Sequence, residues 1–203
     1  MFLIHREKSS DYTFLGLFAG AGGLDLGFEL AGFIHSESNE ILECAVDTLK
    51  INRPDWNVVH GDVREYAPSY RNGLDVLLAG FPCQGFSLGG HRNESDERNS
   101  LYKELIRIAR IMRPRAIVME NVLNLRTMKH PETGKPFAQQ IADDFAAVGY
   151  SAMFNFLKVS QYGVPQTRRR FILIAHRDSS LKFFNFPKPE TEMSVRNFIF
   201  DLG

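Results

Sequence analysis

Apolar runs alternate with helix-spaced stretches along the 203 residues. Residues 13–18 (TFLGLF) form a short apolar block that ends at Gly20, Gly22 and Gly23, which predicts a buried strand and a turn. Residues 24–31 then carry apolar side chains at helical spacing, and 34–38 read as a second strand. A helix is predicted over 40–51, with Asn39 as its N-cap. Strands follow at 57–60, closed by Gly61-Asp62, and at 74–79 (LDVLLA). Residues 80–99 show no period and read as a long glycine-containing loop. Beyond it the pattern predicts a helix over 100–112 stopped by Pro114, a strand over 115–119 and a helix over 136–148 stopped at Gly149. Residues 150–159 and 170–175 read as the last two strands.

Strands that alternate with helices predict an α/β sandwich around a mostly parallel sheet. The last two strands have no room between them for a crossover helix, so they should pair antiparallel. After His176 the texture changes. Pro187 and Pro189 interrupt it, and residues 194–201 look like the opening of a helix. The expected division is a catalytic domain over 1–178 and a lead-in to something further over 179–203.

Composition narrows the classes. Lysine plus arginine total 24 and aspartate plus glutamate 24, for a net charge of zero, with 44% hydrophobic residues. A wholly disordered chain and a globally basic nucleic-acid coat are both excluded, so any polyanion must meet a local patch. One such stretch exists: residues 98–115 hold six basic residues and one acid, Glu104, while residues 40–47 are acidic. No apolar run nears the ~18 residues of a membrane span, and residues 1–8 lack a signal-peptide core. Two cysteines, Cys44 and Cys83, make no disulfide framework, so a reducing, intracellular setting is expected. Cys44, on a helix, is expected to be buried and inert.

In open α/β sheets ligands bind at the carboxyl ends of the strands, where the strand order switches. The unit FLGLFAGAGGLDLGF is therefore either a ligand cradle or a tight turn with helix-packing glycines. The strict dinucleotide fingerprint fails at Asp25, and no phosphate-binding Gly-x-x-x-x-Gly-Lys-Ser/Thr loop exists. Glu40 follows Gly20 by 20 residues, the spacing of an acid that bonds a ribose hydroxyl. Asp62, after the third strand, suits an adenine amino group. The implied ligand is an adenosine without a pyrophosphate, which fits S-adenosylmethionine.

Cys83 lies in Gly80-Phe81-Pro82-Cys83-Gln84, a loop at the ligand edge. It reads as a nucleophile, which acts as thiolate, or else as an inert structural thiol. Glu120, in Glu120-Asn121-Val122 at the end of the next strand, would face Cys83 as a proton-transfer group or stand as a solvent-facing acid. Arg168 and Arg170 alternate with Arg169, so they should share one face. They hold a ligand or line a solvated edge.

These segments in this order resemble the DNA (cytosine-5) methyltransferase family, over about residues 13–177. The matching stretches are Phe18-Ala19-Gly20-Ala21-Gly22-Gly23, Gly80-Phe81-Pro82-Cys83-Gln84, Glu120-Asn121-Val122 and Gln166-x-Arg168-x-Arg170. The resemblance implies a Rossmann-like S-adenosylmethionine-dependent methyltransferase fold, double-stranded DNA as substrate, and a place in the bacterial cytoplasm or nucleoid, or in the nucleus of a eukaryote. It implies Cys83 as nucleophile on a flipped-out cytosine, Glu120 at the cytosine N3 and amino group, and Arg168 and Arg170 at the thiol loop and cytosine O2. For the cofactor it implies Phe18, Gly20 and Gly22 at the methionine end and Glu40 at the ribose. Ile41 would lie on the adenine, Asp62 and Val63 would meet it, and Pro82 and Leu101 would line the same site. Residues 85–99 would close over the base, with His91, Arg92 and Arg98 near phosphates.

Members of that family continue with a target-recognition region and a final cofactor-pocket segment, which are not in this sequence. The expectation is a split-enzyme subunit with a second polypeptide, a truncation, or a relic without turnover. An RNA cytosine-5 methylase and a non-catalytic binding module are the competing functions. A nicotinamide dehydrogenase would leave Cys83 unexplained.

Overall fold

A computed structural model describes residues 11–69, 73–82, 101–178, 185–192 and 194–199. Seven strands form one sheet: β1 (Thr13–Leu17), β2 (Ile34–Glu40), β3 (Val58–His60), β4 (Val76–Ala79), β5 (Ala116–Val122), β6 (Ser151–Lys158) and β7 (Arg169–His176). Their order is β3-β2-β1-β4-β5-β7-β6. Neighbours are parallel from β3 through β5, and β7 pairs antiparallel with both β5 and β6, as the short 159–168 connection predicts. The helices are α1 (Gly23–Leu30), α2 (Glu43–Asn52), α3 (Leu101–Met112) and α4 (Phe137–Ala147).

The two-residue period of the strands divides the core. Phe14, Val76 and Leu78 face α1, where Leu24 and Phe28 pack on them. Leu15, Leu17, Leu77, Ile117, Met119 and Leu173 point the other way, into the larger core with Leu105, Ile108, Ile141 and Phe145 of α3 and α4. Both faces of the central strands are covered, which is why they read as continuous apolar runs rather than alternating ones.

Three expectations need correction. Asn39 does not cap a helix. It is a buried strand residue whose Nδ2 donates to the carbonyls of Val59 and Gly61. β2 runs on to Glu40 because Ser38–Glu40 pair with Val58–His60, and α2 starts at Glu43 after Leu42. Cys44 is exposed on α2, since Val46 and Leu49 supply that helix's buried face. Of the helix expected at 194–201, the described residues show one 3-10 turn, Val195–Asn197. Arg107, in the basic stretch on α3, is half-buried. Its guanidinium donates to the carbonyls of Val63 and Tyr66 and pairs with Glu104.

β2 (IHSESNE) is polar yet central, and donors surround its acids. Glu37 is fully buried and accepts from Tyr66, Ser69 and Asn57 side chains. On the other face, the Ser38 hydroxyl donates to Asp25 at 2.7 Å and meets His35 Nε2, whose ring stacks on Trp56. Gly16 leaves the room: a Cβ there would lie 2.0 Å from the Asp25 carboxylate.

Burial pushes the Asp25 carboxyl up to about 6, against the lowering effect of the Ser38 bond. Unfolded, it would ionise near 3.9. The unfolded chain therefore releases this proton first, and Asp25 costs stability progressively as pH rises from about 4 through about 6. Asp25→Asn should be more stable than the parent at pH 8, by about 1–3 kcal/mol, with the difference vanishing near pH 4. Urea unfolding at both pH values checks this. A difference that does not change with pH would contradict it.

Candidate active site

The strand order reverses between β1 and β4, and the site is built at their carboxyl ends. After β1, the chain turns through Phe18, held at φ 55°, and Gly20 into the left-handed Gly22 that precedes α1. A side chain at Gly22 would strike Leu49 Cδ2 at 2.6 Å, so this glycine lets α2 pack against the turn.

A pocket of 210 Å³ opens at this edge. Phe18, Glu40, Ile41 and Asp62 line it, together with Val63, Pro82 and Leu101. Seven of the nine expected cofactor residues are thus brought together. Gly20 and Gly22 are not on its wall. Gly20 acts on it through a second residue: its N–H donates to Glu40 Oε2 at 2.7 Å. Glu40 Oε1 accepts the N–H groups of Ile41 and Leu42, which fixes the turn that leads into α2. Oε2 keeps one lone pair for a ligand hydroxyl.

The pocket also uses residues that sequence reasoning missed: Asn39, Gly61 and Arg64. Arg64 grips both oxygens of Asp62, with Nη2 2.6 Å from Oδ2 and Nε 3.0 Å from each. Its backbone N–H donates to Oδ1 as well. The guanidinium holds the Asp62 carboxyl below the usual carboxylate range. Asp62 is thus occupied, and an adenine amino group would reach it only as Arg64 shifts. The loop carrying both is held from two sides, by Glu37 at Tyr66 and Ser69 and by Arg107 at the Val63 and Tyr66 carbonyls.

On the other side of β4 stands Glu120. It lies on the half-exposed face of β5, in register with Ile172, while Val122 pairs with Arg170. Arg170 is therefore its diagonal neighbour, with Nε 2.6 Å from Glu120 Oε1. Its N–H is not aimed along that line, so the contact is an ion pair rather than a hydrogen bond. Arg168 reaches the same oxygen at 3.9 Å, so Arg168 and Arg170 meet one carboxylate, as the alternation predicts. The other oxygen, Oε2, would sit 3.9 Å from a Cβ on Gly80. Asn121 donates from Nδ2 to the Phe81 carbonyl at 3.2 Å. Glu120 and Asn121 thus both address the segment that leads into Cys83. Cys83 itself, with residues 84–99 and their His91, Arg92 and Arg98, lies outside the described residues.

A family model for C-5 cytosine-specific DNA methylase matches residues 12–202. The chain belongs to this family. The type II methyltransferase M.NgoMIV of Neisseria gonorrhoeae is 39% identical over 193 residues, which cover 94% of this chain and 61% of that protein. M.Eco47II of Escherichia coli, another type II methyltransferase, is 40% identical over 190 residues, covering 92% of the chain and 44% of that protein. This cytosine-methylase chain thus spans about half the length of the curated relatives it matches. Among solved structures, a candidate DNA modification methyltransferase encoded within an E. coli prophage superposes with a TM-score of 0.74 at 28% identity. The match covers 92% of this chain and 54% of that one. A Spodoptera frugiperda DNMT2 variant, at 22% identity and TM-score 0.66 over 90% and 55% of the two chains, shares the fold. The methyltransferase-type α/β fold is thereby shown. Among the described residues, no helix is long and apolar enough to cross a membrane.

Proposed function

We propose that the chain is the catalytic portion, residues 1–178, of an enzyme that transfers a methyl group from S-adenosylmethionine to C5 of cytosine in DNA. One observation carries the reading. Pro82, the residue before Cys83, lines the 210 Å³ pocket, and Gly80 on the same segment abuts the Glu120 carboxylate.

The pocket residues fit the cofactor. Phe18, Ile41, Val63 and Leu101 offer apolar walls to an adenine, and Glu40 Oε2 offers an acceptor to a ribose hydroxyl. Bound there, the cofactor supplies an electrophilic methyl group. Cytosine C5 is a weak nucleophile, and Cys83 makes it a stronger one. Its thiolate adds to C6 while Glu120 gives a proton to N3, which leaves C5 enamine-like. After C5 is methylated, loss of the C5 proton, expulsion of the thiolate and return of the N3 proton to Glu120 restore the ring. Arg170 and Arg168 hold the Glu120 carboxylate on the face that points to the base. The base must leave the duplex to reach Cys83, which costs a few kcal/mol.

A tritiated-methyl transfer assay tests this, with the chain alone and mixed with a polypeptide carrying the rest of its relatives' length. Label is expected at C5 of cytosine in duplex DNA. Label in tRNA and not in duplex DNA would favour an RNA methylase. Cofactor binding without transfer in the supplemented mixture would favour a binding module.

Arg64 yields a smaller effect. Its pair with Asp62 is exposed, worth about 0–1 kcal/mol, and competes with the adenine amino group. Arg64→Ala should tighten cofactor binding up to about fivefold, read by calorimetry. Weaker binding would show that Arg64 touches the cofactor.

A further inference from the structure

A second cleft, of 440 Å³, lies at the opposite end of the sheet. It is bounded by the C-terminus of α3, the C-terminus of α4, the start of β6 and the residue after β7. Seven-residue β5 separates it from the site above by roughly 20 Å. Arg110, Arg113 and Arg177 line it, and among the described residues no acid does. Its other walls include Ala109, Val148 and the buried Tyr150.

The charge there is unbalanced. Among the described residues of this stretch, the other basic ones are committed: Arg107 to Glu104 and two carbonyls, Lys103 to Glu132, and Arg115 to Asp75. Arg177 uses its Nε on the Pro114 carbonyl, which leaves both terminal nitrogens of its fork to the cleft. The negative ends of α3 and α4, about half a charge each, offset only part of three guanidinium charges. At the cleft floor, burial raises the Tyr150 phenol above its ordinary range, and the nearby charges of Arg177 and Arg113 offset part of that rise.

Arg113 is also unusual in its backbone. It ends α3 at φ 47°, with its N–H on the Ala109 carbonyl. Helices normally put glycine at such a left-handed end. An arginine kept there places a guanidinium at the cleft despite an unfavourable backbone.

We propose that this cleft binds a phosphate-rich anion. Guanidinium forks match phosphate oxygens, and three of them call for more acceptors than one carboxylate has. The volume lies in the range of small-ligand sites and exceeds a single phosphate. The phosphates would belong to a free di- or triphosphate or to a nucleic-acid backbone. This inference stands apart from the reading of the methylation site.

The test uses the chain with inorganic pyrophosphate and, separately, a 20-base-pair duplex at matched ionic strength, read by calorimetry and thermal unfolding. The variant is Arg110→Ala with Arg113→Gly, in which glycine suits the left-handed position and preserves the fold. Pyrophosphate is expected to bind the parent and raise its Tm, with at least a tenfold loss of affinity in the variant. If the duplex also loses affinity and salt dependence in the variant, the phosphates are those of a backbone. If only pyrophosphate binding is lost, they are those of a free ligand. Parent and variant alike in both ligands would overturn the proposal.

Discussion

Cys83→Ser is expected to reduce methyl transfer to DNA to background while leaving S-adenosylmethionine binding within about twofold. A thiol near pKa 8.5 yields a working fraction of thiolate once positive charge lowers it, whereas a serine hydroxyl stays protonated. Without a nucleophile at C6, C5 never becomes enamine-like, and the covalent route is closed. The pocket is built from the ends of β1, β2 and β3 and from Leu101, so it does not need the thiol. Tritium transfer and cofactor calorimetry on the same preparation separate the two effects. Retained turnover in the serine variant would contradict the role given to Cys83.

Glu120→Gln carries the second large effect. The amide has the same shape and still accepts a hydrogen bond, but it cannot deliver a carboxyl proton to N3, so transfer should fall by about 10²–10⁴-fold. The change also removes the charge paired with Arg170 and should cost about 1 kcal/mol of stability. Arg170→Lys distinguishes these consequences. A lysine keeps a positive charge near Oε1 without the guanidinium's fixed geometry, so activity should fall less than in Glu120→Gln. Single-turnover rates and urea midpoints for the two variants check the order. Equal activity in Glu120→Gln and parent would remove Glu120 from the chemistry.

The apolar strands were readable because both faces of β1 and β4 are covered, which forces unbroken hydrophobic runs. The motif order brought the residues of the pocket and the Glu120–Arg170 pair to one sheet edge. β2 was harder. Its pattern, IHSESNE, looks like a surface segment, and Asn39 before a helical stretch looks like a cap. Only the tertiary fold supplies the donors that let Glu37, Ser38, Asn39 and Glu40 be buried there. An acid-rich stretch in the place of a central strand was the signal for such a network. Arg107 and Arg64 were beyond sequence pattern for the same reason. Their partners lie 44 residues away in one case and two residues away in the other, and neither separation has a period. Pro114 did announce the end of α3, but the left-handed backbone of Arg113 before it did not show in the residue type.

On the proposed route, Cys83 forms a covalent bond to a cytosine in DNA on the way to C5 methylation. Duplex DNA with 5-fluorocytosine at the target makes that bond visible. Fluorine cannot leave C5 as the proton does, so the thioether at C6 is trapped after methyl transfer. In the presence of S-adenosylmethionine, and with the remaining segments of the relatives supplied, the chain should form a denaturant-stable complex. Peptide mapping should place the link at Cys83. Methylation of ordinary duplex DNA by the same mixture, with no covalent complex on the fluorinated duplex, would contradict the account.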